Sequence, residues 1–344
     1  MDHFTAHLVQ VEVEVVTPLA LNPHKGSSLR GAIFHALLNR FCMNRHAQLC
    51  AECPLVAGCP VAFLVSTMRP ESERGRDVPR PYAIRPPLDR STRYEPGDRF
   101  SFGLTLFAQA LNLFPYIVLV LDEMGRAGLG LKLPENRRRR GTFRIQAVTA
   151  VNPLTGECQP VLQADEHMVQ LPDIPITHPQ IIQRAGAFHA TQLTIRFLTP
   201  TRIVDQDNLV KRPLFRPLFQ RLLERLSALA REFSDTPLQA DFPSLISQAE
   251  QVHLVRDHTH WVELESYSTR LGRATPLGGF VGTAVYEAPD WQPFLPWLIW
   301  GQFTHVGKDA VKGNGWYQLE SPQHALGQSS DTAQKVGPAW TSHT

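Results

Sequence analysis

Two stretches of this chain hold residue types that can do chemistry. "CMNRHAQLCAECPLVAGCP" spaces Cys42, Cys50, Cys53 and Cys59 as C-x7-C-x2-C-x5-C. Four thiolates close a tetrahedral metal site, and C-x2-C is an ordinary knuckle. Such a site leaves no coordination position open, so it predicts a structural zinc; ligand count alone also admits an iron–sulfur cluster. Cys158 stands apart and reads as a core residue. The second stretch, "GQFTHVGKDAVKGNGWYQLE", gathers Gly307, Gly313 and Gly315 with His305, Lys308 and Lys312. Glycines bare backbone N–H groups and lysines add positive charge, a combination in which an anion can nest. It is not a Walker P-loop, because GxxxxGK[ST] is absent.

An echo lies earlier, in "MGRAGLGLKLPENRRRRGTFRIQAV", with Lys132 and the run Arg137, Arg138, Arg139 and Arg140. Four consecutive arginines make a strip that tracks phosphates, although a basic run is also simply a solvated face. In "TPLGGFVGTAVYE", Gly278 and Gly279 open a strand. Glycine there marks a bulge or a close approach, by RNA or by a neighbouring domain. Arg30 stands near a helix start, where backbone N–H groups also attract anions.

If the phosphate chain that such basic loops would hold is an RNA and is cut, metal-free cleavage needs a base for the 2′-hydroxyl proton, an acid for the 5′-oxygen, and positive charge on the phosphorus centre. Histidine serves either proton role near neutrality. Of the 14 histidines, His305 sits inside the glycine–lysine loop, with Lys308 beside it to stabilise charge. His35 lies within the first predicted helix, His46 follows it, and His24 precedes it next to Lys25.

The elements that must position these residues follow from periodicity. "HLVQVEVEVV", "RFSFGLTLFAQA" and "GTFRIQAVTAV" read as strands; "SSLRGAIFHALLNRFC" and "LNLFPYIVLVLDEMGRAG" read as helices. The second half repeats the order. "ATQLTIRFLTPTRIV", "EQVHLVRDHTHWVELES", "GGFVGTAVYEA" and "GWYQLE" are strands. "PLFRPLFQRLLERLSALAREF" is an amphipathic helix with Leu218, Leu222, Leu226 and Leu229 on one side. "PDWQPFLPWLIWGQF" is a second helix. Each half is β-α-β-β-α-β, the ferredoxin-like order. The predicted class is therefore α+β, with two tandem ferredoxin-like domains. The N-terminal one spans 1–150 with a cysteine-rich insertion at about 42–60; a linker spans 151–189; the C-terminal one spans 190–322; a disordered tail spans 323–344.

Composition agrees with a folded chain of 344 residues, 43% hydrophobic and 19% charged. A net charge of +2 says little about partners, so a nucleic-acid argument rests on where the charge sits. No run of 18 apolar residues predicts a membrane span, and the N-terminus reads as a strand, not a signal peptide. The expected location is cytoplasmic, where thiols stay reduced and clustered cysteines favour metal over disulfides.

Several stretches occur together in order: "GSSLRGAIFHAL", "CAECPLVAGCPVAFLV", "RPYAIRPP", "YEPGDRFSFGLTLFA", "MGRAGLGL", "TPLGGFVGTAVYE" and "THVGKDAVKGNGWYQLE". In them the chain resembles the CRISPR-associated endoribonucleases that process precursor CRISPR RNA (pre-crRNA), within the repeat-associated mysterious protein superfamily. The resemblance implies two ferredoxin-like domains with RNA bound across them, and a glycine-rich loop that here runs from Gly307 to Gly315. It implies cleavage of CRISPR repeat RNA by the neighbouring 2′-hydroxyl, without a catalytic metal, leaving a 5′-hydroxyl and a 2′,3′-cyclic phosphate. It places a catalytic histidine in or just after the first helix, which admits His35 and His46 beside His305; the tyrosine that accompanies it in some members has no counterpart in this helix, which carries Phe34. It implies CRISPR repeat RNA and other CRISPR effector subunits as partners, and no membrane. The same loops would serve a non-catalytic RNA-binding subunit of an effector complex.

Overall fold

Valine at every second position of Ala6–Val15 sets the first layer. Val9, Val11, Val13 and Val15 are buried, while Gln10, Glu12 and Glu14 turn to the other face. This is strand β1. The structure, a computed structural model, describes residues 1, 3–47, 49–66, 78–164, 168–268 and 272–320. After β1 come β2 (Leu19–Ala20), α1 (Lys25–Phe41), two one-turn helices at Cys50–Glu52 and Val56–Gly58, α2 (Pro60–Val65), β3 (Tyr82–Arg85), β4 (Arg93–Tyr94) and β5 (Arg99–Phe107). Then follow α3 (Phe114–Ala127), β6 (Leu129–Leu133), β7 (Arg139–Gly141), β8 (Phe143–Asn152), β9 (Glu157–Gln163) and α4 (His178–Gly186). The second half contains β10 (Gln192–Thr201), β11 (Ile203–Asp205), β12 (Asn208–Val210), α5 (Phe215–Phe233), α6 (Phe242–Ala249) and β13 (His253–Val262). It ends with β14 (Glu265–Ser268), β15 (Arg273–Pro276), β16 (Gly279–Glu287), α7 (Leu295–Thr304) and β17 (Tyr317–Glu320).

The architecture is mixed α/β with antiparallel sheets. The first sheet runs β3-β5-β1-β8-β9 and the second β13-β16-β10-β17. In each half the first and third long strands pair at the centre, with the second and fourth outside them. Helices α1 and α3 cover the valine face of the first sheet, and their apolar sides form one core with it. Helix α5 buries Leu218, Leu222, Leu226 and Leu229 against the second sheet, and α7 packs beside it. Short two-stranded ribbons, the hairpins β6–β7, β11–β12 and β14–β15 and the long-range pair β2–β4, decorate the layers.

The segment expected to be a linker, 151–189, is built into both layers. β9 extends the first sheet as an edge strand. Ile176 bridges to Ala6, and α4 carries Ile181 and Ala185 into the second core. Its polar composition concealed these few apolar anchors at i and i+4. Cys158, read as a core residue, is exposed on β9. The expected tail at 323–344 lies outside the described residues. Among those described, no helix is long and apolar enough to cross a membrane.

The halves interlock. The second core includes Phe4, Ala6, Leu8, Ala83 and Phe107 from the first half, and the first core accepts Val311 from the loop between α7 and β17. That loop is the glycine–lysine stretch.

Candidate active site and the glycine-rich joint

Helix α1 buries Leu29, Ala32, Ile33, Ala36 and Leu37, the i, i+3, i+4 pattern of a core-facing stripe. The stripe turns His35 and Asn39 outward, both exposed, and leaves open space at Gly31 one turn below His35. Arg30 lies on the same helix with its guanidinium 5.0 Å from the Phe34 ring. A second cation comes from the β6–β7 hairpin. There Lys132 faces Arg140 and Leu133 faces Arg139, while Arg137 and Arg138 turn the tip in left-handed backbone at φ 54° and 59°. Lys132, Arg137, Arg138 and Arg139 are exposed. Arg140 alone of the run is half-buried, its stem against Gly128, where a Cβ would stand 2.8 Å from the Arg140 Cβ. Partial burial first, then the charges of Arg140 and Arg30, hold the His35 imidazole below its ordinary value. His35 is thus an accessible, neutral proton acceptor with two guanidinium charges acting on it.

The glycine–lysine loop is different from what its composition suggests. His305 is wholly buried. It ends α7 in left-handed backbone, φ 62°, and its ring stacks on Trp316 with centroids 6.1 Å apart. The Asn314 backbone is the polar group that approaches the ring. Burial, then the charges of Arg85 and Arg225, hold it well below the ordinary histidine value. Those two arginines donate to the last carbonyls of α7: Arg85 Nη2 to Gln302 O at 2.9 Å and Arg225 Nε to Thr304 O at 2.7 Å. Cations at a helix C-terminus satisfy orphan carbonyls and complement the dipole. Burial pushes both guanidiniums down to about 10, which leaves them charged at neutral pH. His305 therefore cannot meet an RNA phosphate, and its expected catalytic place is corrected to a core position.

The loop glycines answer to packing. A Cβ at Gly307 would run into Arg202 O, one at Gly315 into Val306 O, and one at Gly313 would stand 2.6 Å from Pro86 Cδ. Lys312 pairs with Asp309 at 2.9 Å, and Lys308 is exposed. What the loop holds is the start of α1. His24, buried, donates from Nε2 to Asn314 Oδ1 at 2.5 Å, and its Nδ1 meets Ser27 Oγ at 3.0 Å. Asn314 Nδ2 donates to Leu277 O at 2.9 Å. Buried Lys25 donates to Asp89 Oδ1 at 2.8 Å, and a Cβ on Gly26 would strike Lys312 O. The stretch is a joint between the halves that sets the base of α1. Sequence reading missed Asn314, Asp89, Arg85 and Arg225, whose partners lie far along the chain.

Gly278 and Gly279 also serve close backbone approach. A Cβ on the first would stand 2.7 Å from Val262 O, and one on the second 2.6 Å from the Thr201 backbone. His46 is exposed on the cysteine-bearing segment beyond α1. Cys42, Cys50, Cys53 and Cys59 are free thiols lining one pocket together with Phe41 and Met43. Burial, then the neighbouring Cys59, Cys42 and Cys53, push the Cys50 thiol up. Asn44 Nδ2 approaches Cys53 Sγ at 3.7 Å. Among the described residues, no group of three or more His, Cys, Asp or Glu side chains is already disposed to hold a metal ion.

Two family models cover most of this architecture. Residues 195–317 match the CRISPR-associated endoribonuclease Cas6 model, and residues 4–174 match AF_1859_N, an N-terminal domain. The fold is shared with a partial Cas6-RT-Cas1–Cas2 complex at TM-score 0.60 and 14% identity, over 99% of this chain and 50% of that one. It is shared with a Cas6 product complex at TM-score 0.55 and 17% identity, over 93% and 100% of the two chains. Thermus thermophilus Cas6 gives TM-score 0.53 and 16% identity, over 92% and 99%. The chain spans half the length of the first of these relatives. No curated protein matches it. The second half thus matches the Cas6 endoribonuclease model, and the chain shares its fold with solved Cas6 proteins.

Proposed function

We propose that this chain is an endoribonuclease that cuts CRISPR repeat RNA to yield mature crRNA, with His35 as its proton-transfer residue. The observation that carries this reading is the exposed, neutral His35 under the charges of Arg140 and Arg30, in a chain whose second half matches an endoribonuclease family. Each half is read as a ferredoxin-like unit, supported by the same strand order in both sheets. In the reaction, His35 takes the proton of a 2′-hydroxyl and that oxygen attacks the adjacent phosphorus. The bond to the 5′-oxygen breaks, and the leaving oxygen takes up a proton. Arg140 and Arg30 offset the extra negative charge at phosphorus, the task first given to Lys308. The exposed Lys132 and Arg137 to Arg139 contact the RNA backbone. Other CRISPR proteins are proposed partners, as in the relative that assembles with Cas2.

The test is single-turnover cleavage of repeat RNA in chelator, with end-group analysis, across pH. Fragments with 5′-hydroxyl and 2′,3′-cyclic phosphate ends are expected. A base must be neutral to act, and the His35 value lies below 6.5, so the acid limb of the rate should fall below pH 6.5. Arg140→Gln removes one depressing charge and should move that limb upward. Cleavage that requires added magnesium overturns the mechanism.

The four cysteines are proposed as a structural zinc clip. Their donor chemistry suits zinc, they share one pocket, and neither one-turn helix of this segment has a buried residue to hold it. Metal analysis should find one zinc per chain, lost in Cys53→Ser; metal-free purified protein with unchanged stability would refute the clip.

A further inference from the structure

We propose that Trp261, with Arg202 and Lys211 beside it, is a stacking platform for a single-stranded segment of the RNA; this rests on the RNA reading above. Trp261 lies at the end of edge strand β13. Its ring is half-buried and packs inward against the second core. Its Nε1–H donates to Glu263 Oε1 at 2.8 Å, which fixes the ring in its plane. The Arg202 guanidinium and the Lys211 ammonium each stand 6.0 Å from the ring centroid. That is the outer limit of cation–π contact, so neither lies flat on the ring.

Arg202 is fixed from both ends. Its Nη1 donates to Gly278 O at 3.2 Å, and its carbonyl accepts the Lys308 N–H at 3.0 Å. The double glycine that lets β16 approach Thr201 and Val262 thereby aims Arg202 at the indole. Lys211 and Lys308 are exposed, and among the described residues neither makes an ion pair. An oriented aromatic ring flanked by two cations matches nucleobases on a phosphate chain, because every base offers a π-face and stacking tolerates sequence. An acidic peptide would use the charges and leave the ring idle. Lys308 belongs to the same loop that meets His24 and Gly26 at the start of α1, the helix that carries His35.

The test uses the full chain carrying His35→Ala, so that bound RNA stays uncut, and repeat RNAs with one abasic position scanned along them. Trp261→Ala should weaken Kd roughly 10-fold. One abasic position that weakens binding to the parent protein should have no effect on Trp261→Ala, because the base and the ring then form a coupled pair. Trp261→Phe should keep both the affinity and that sensitivity. Lys211→Ala, at an exposed position, should reduce the salt slope of log K by about 0.7 even if Trp261→Ala folds poorly. Unchanged affinity in Trp261→Ala, or an abasic pattern identical in both proteins, overturns the platform and leaves the cleavage reading standing. A parent protein that binds no repeat RNA removes both.

Discussion

His35→Ala should bind repeat RNA like the wild type and cut it at least about 100-fold more slowly, the usual contribution of a positioned acid–base group. The side chain is exposed, and its ring contact is the edge of Phe34 at a centroid distance of 5.6 Å. Truncation should therefore change stability by no more than about 0.5 kcal/mol. His305→Ala is the instructive contrast. That ring is completely buried against Trp316, so its removal leaves a cavity, and any lost cleavage should track lost folded protein. His46→Ala, on the cysteine segment, should leave the rate unchanged. A rate defect confined to His35, with the thermal midpoint retained, separates chemistry from folding. Wild-type rates in His35→Ala would end its assignment.

How far the sequence could be read depended on the range of the contacts involved. The alternating valines of β1 and the leucine stripe of α5 are local signals, and both elements form as periodicity predicts. The outward turn of His35 was also legible, because Leu29 and Ile33 set the buried stripe. Its electrostatic setting was not, since Arg140 lies in a hairpin far along the chain. The glycine–lysine loop was misread for a physical reason. Glycine bares backbone to whatever stands opposite, and an anion or a carbonyl from another segment leaves the same composition. Here Arg202, Val306 and Pro86 stand opposite, and only the tertiary fold supplies them. His305 was misplaced with it, because Arg85 and Arg225, whose charges act on it, and Trp316, on which it stacks, are brought to it by the fold. The supposed linker failed through sparse anchors, Ile176 and Ile181, in a polar stretch.

Gly26→Ala should be among the most damaging single-methyl changes in the protein, costing about 2–4 kcal/mol. A Cβ at this position would meet the carbonyl oxygen of Lys312, a backbone atom in a turn that cannot give way as a flexible side chain would. That turn is held by Lys312 N–H to Asp309 O at 2.8 Å and Gly313 N–H to Ala310 O at 3.0 Å, so displacement breaks its own bonds too. It would also pull Asn314 from His24 and so loosen the base of α1. The control is Gly31→Ala in the same helix, where no atom lies within 4 Å of the new methyl. There helix propensity alone acts, and stability should rise by about 0.5–1 kcal/mol. Thermal unfolding of the two variants side by side therefore tests the joint: one alanine raises the midpoint, the other lowers it by roughly 3–6 °C. Because α1 carries His35, Gly26→Ala should also slow cleavage by whatever fraction of protein remains folded, through misplacement of the imidazole. Equal midpoints for the two variants would show that the loop does not bear on α1, and that the coupling between the glycine-rich joint and the helix carrying His35 is absent.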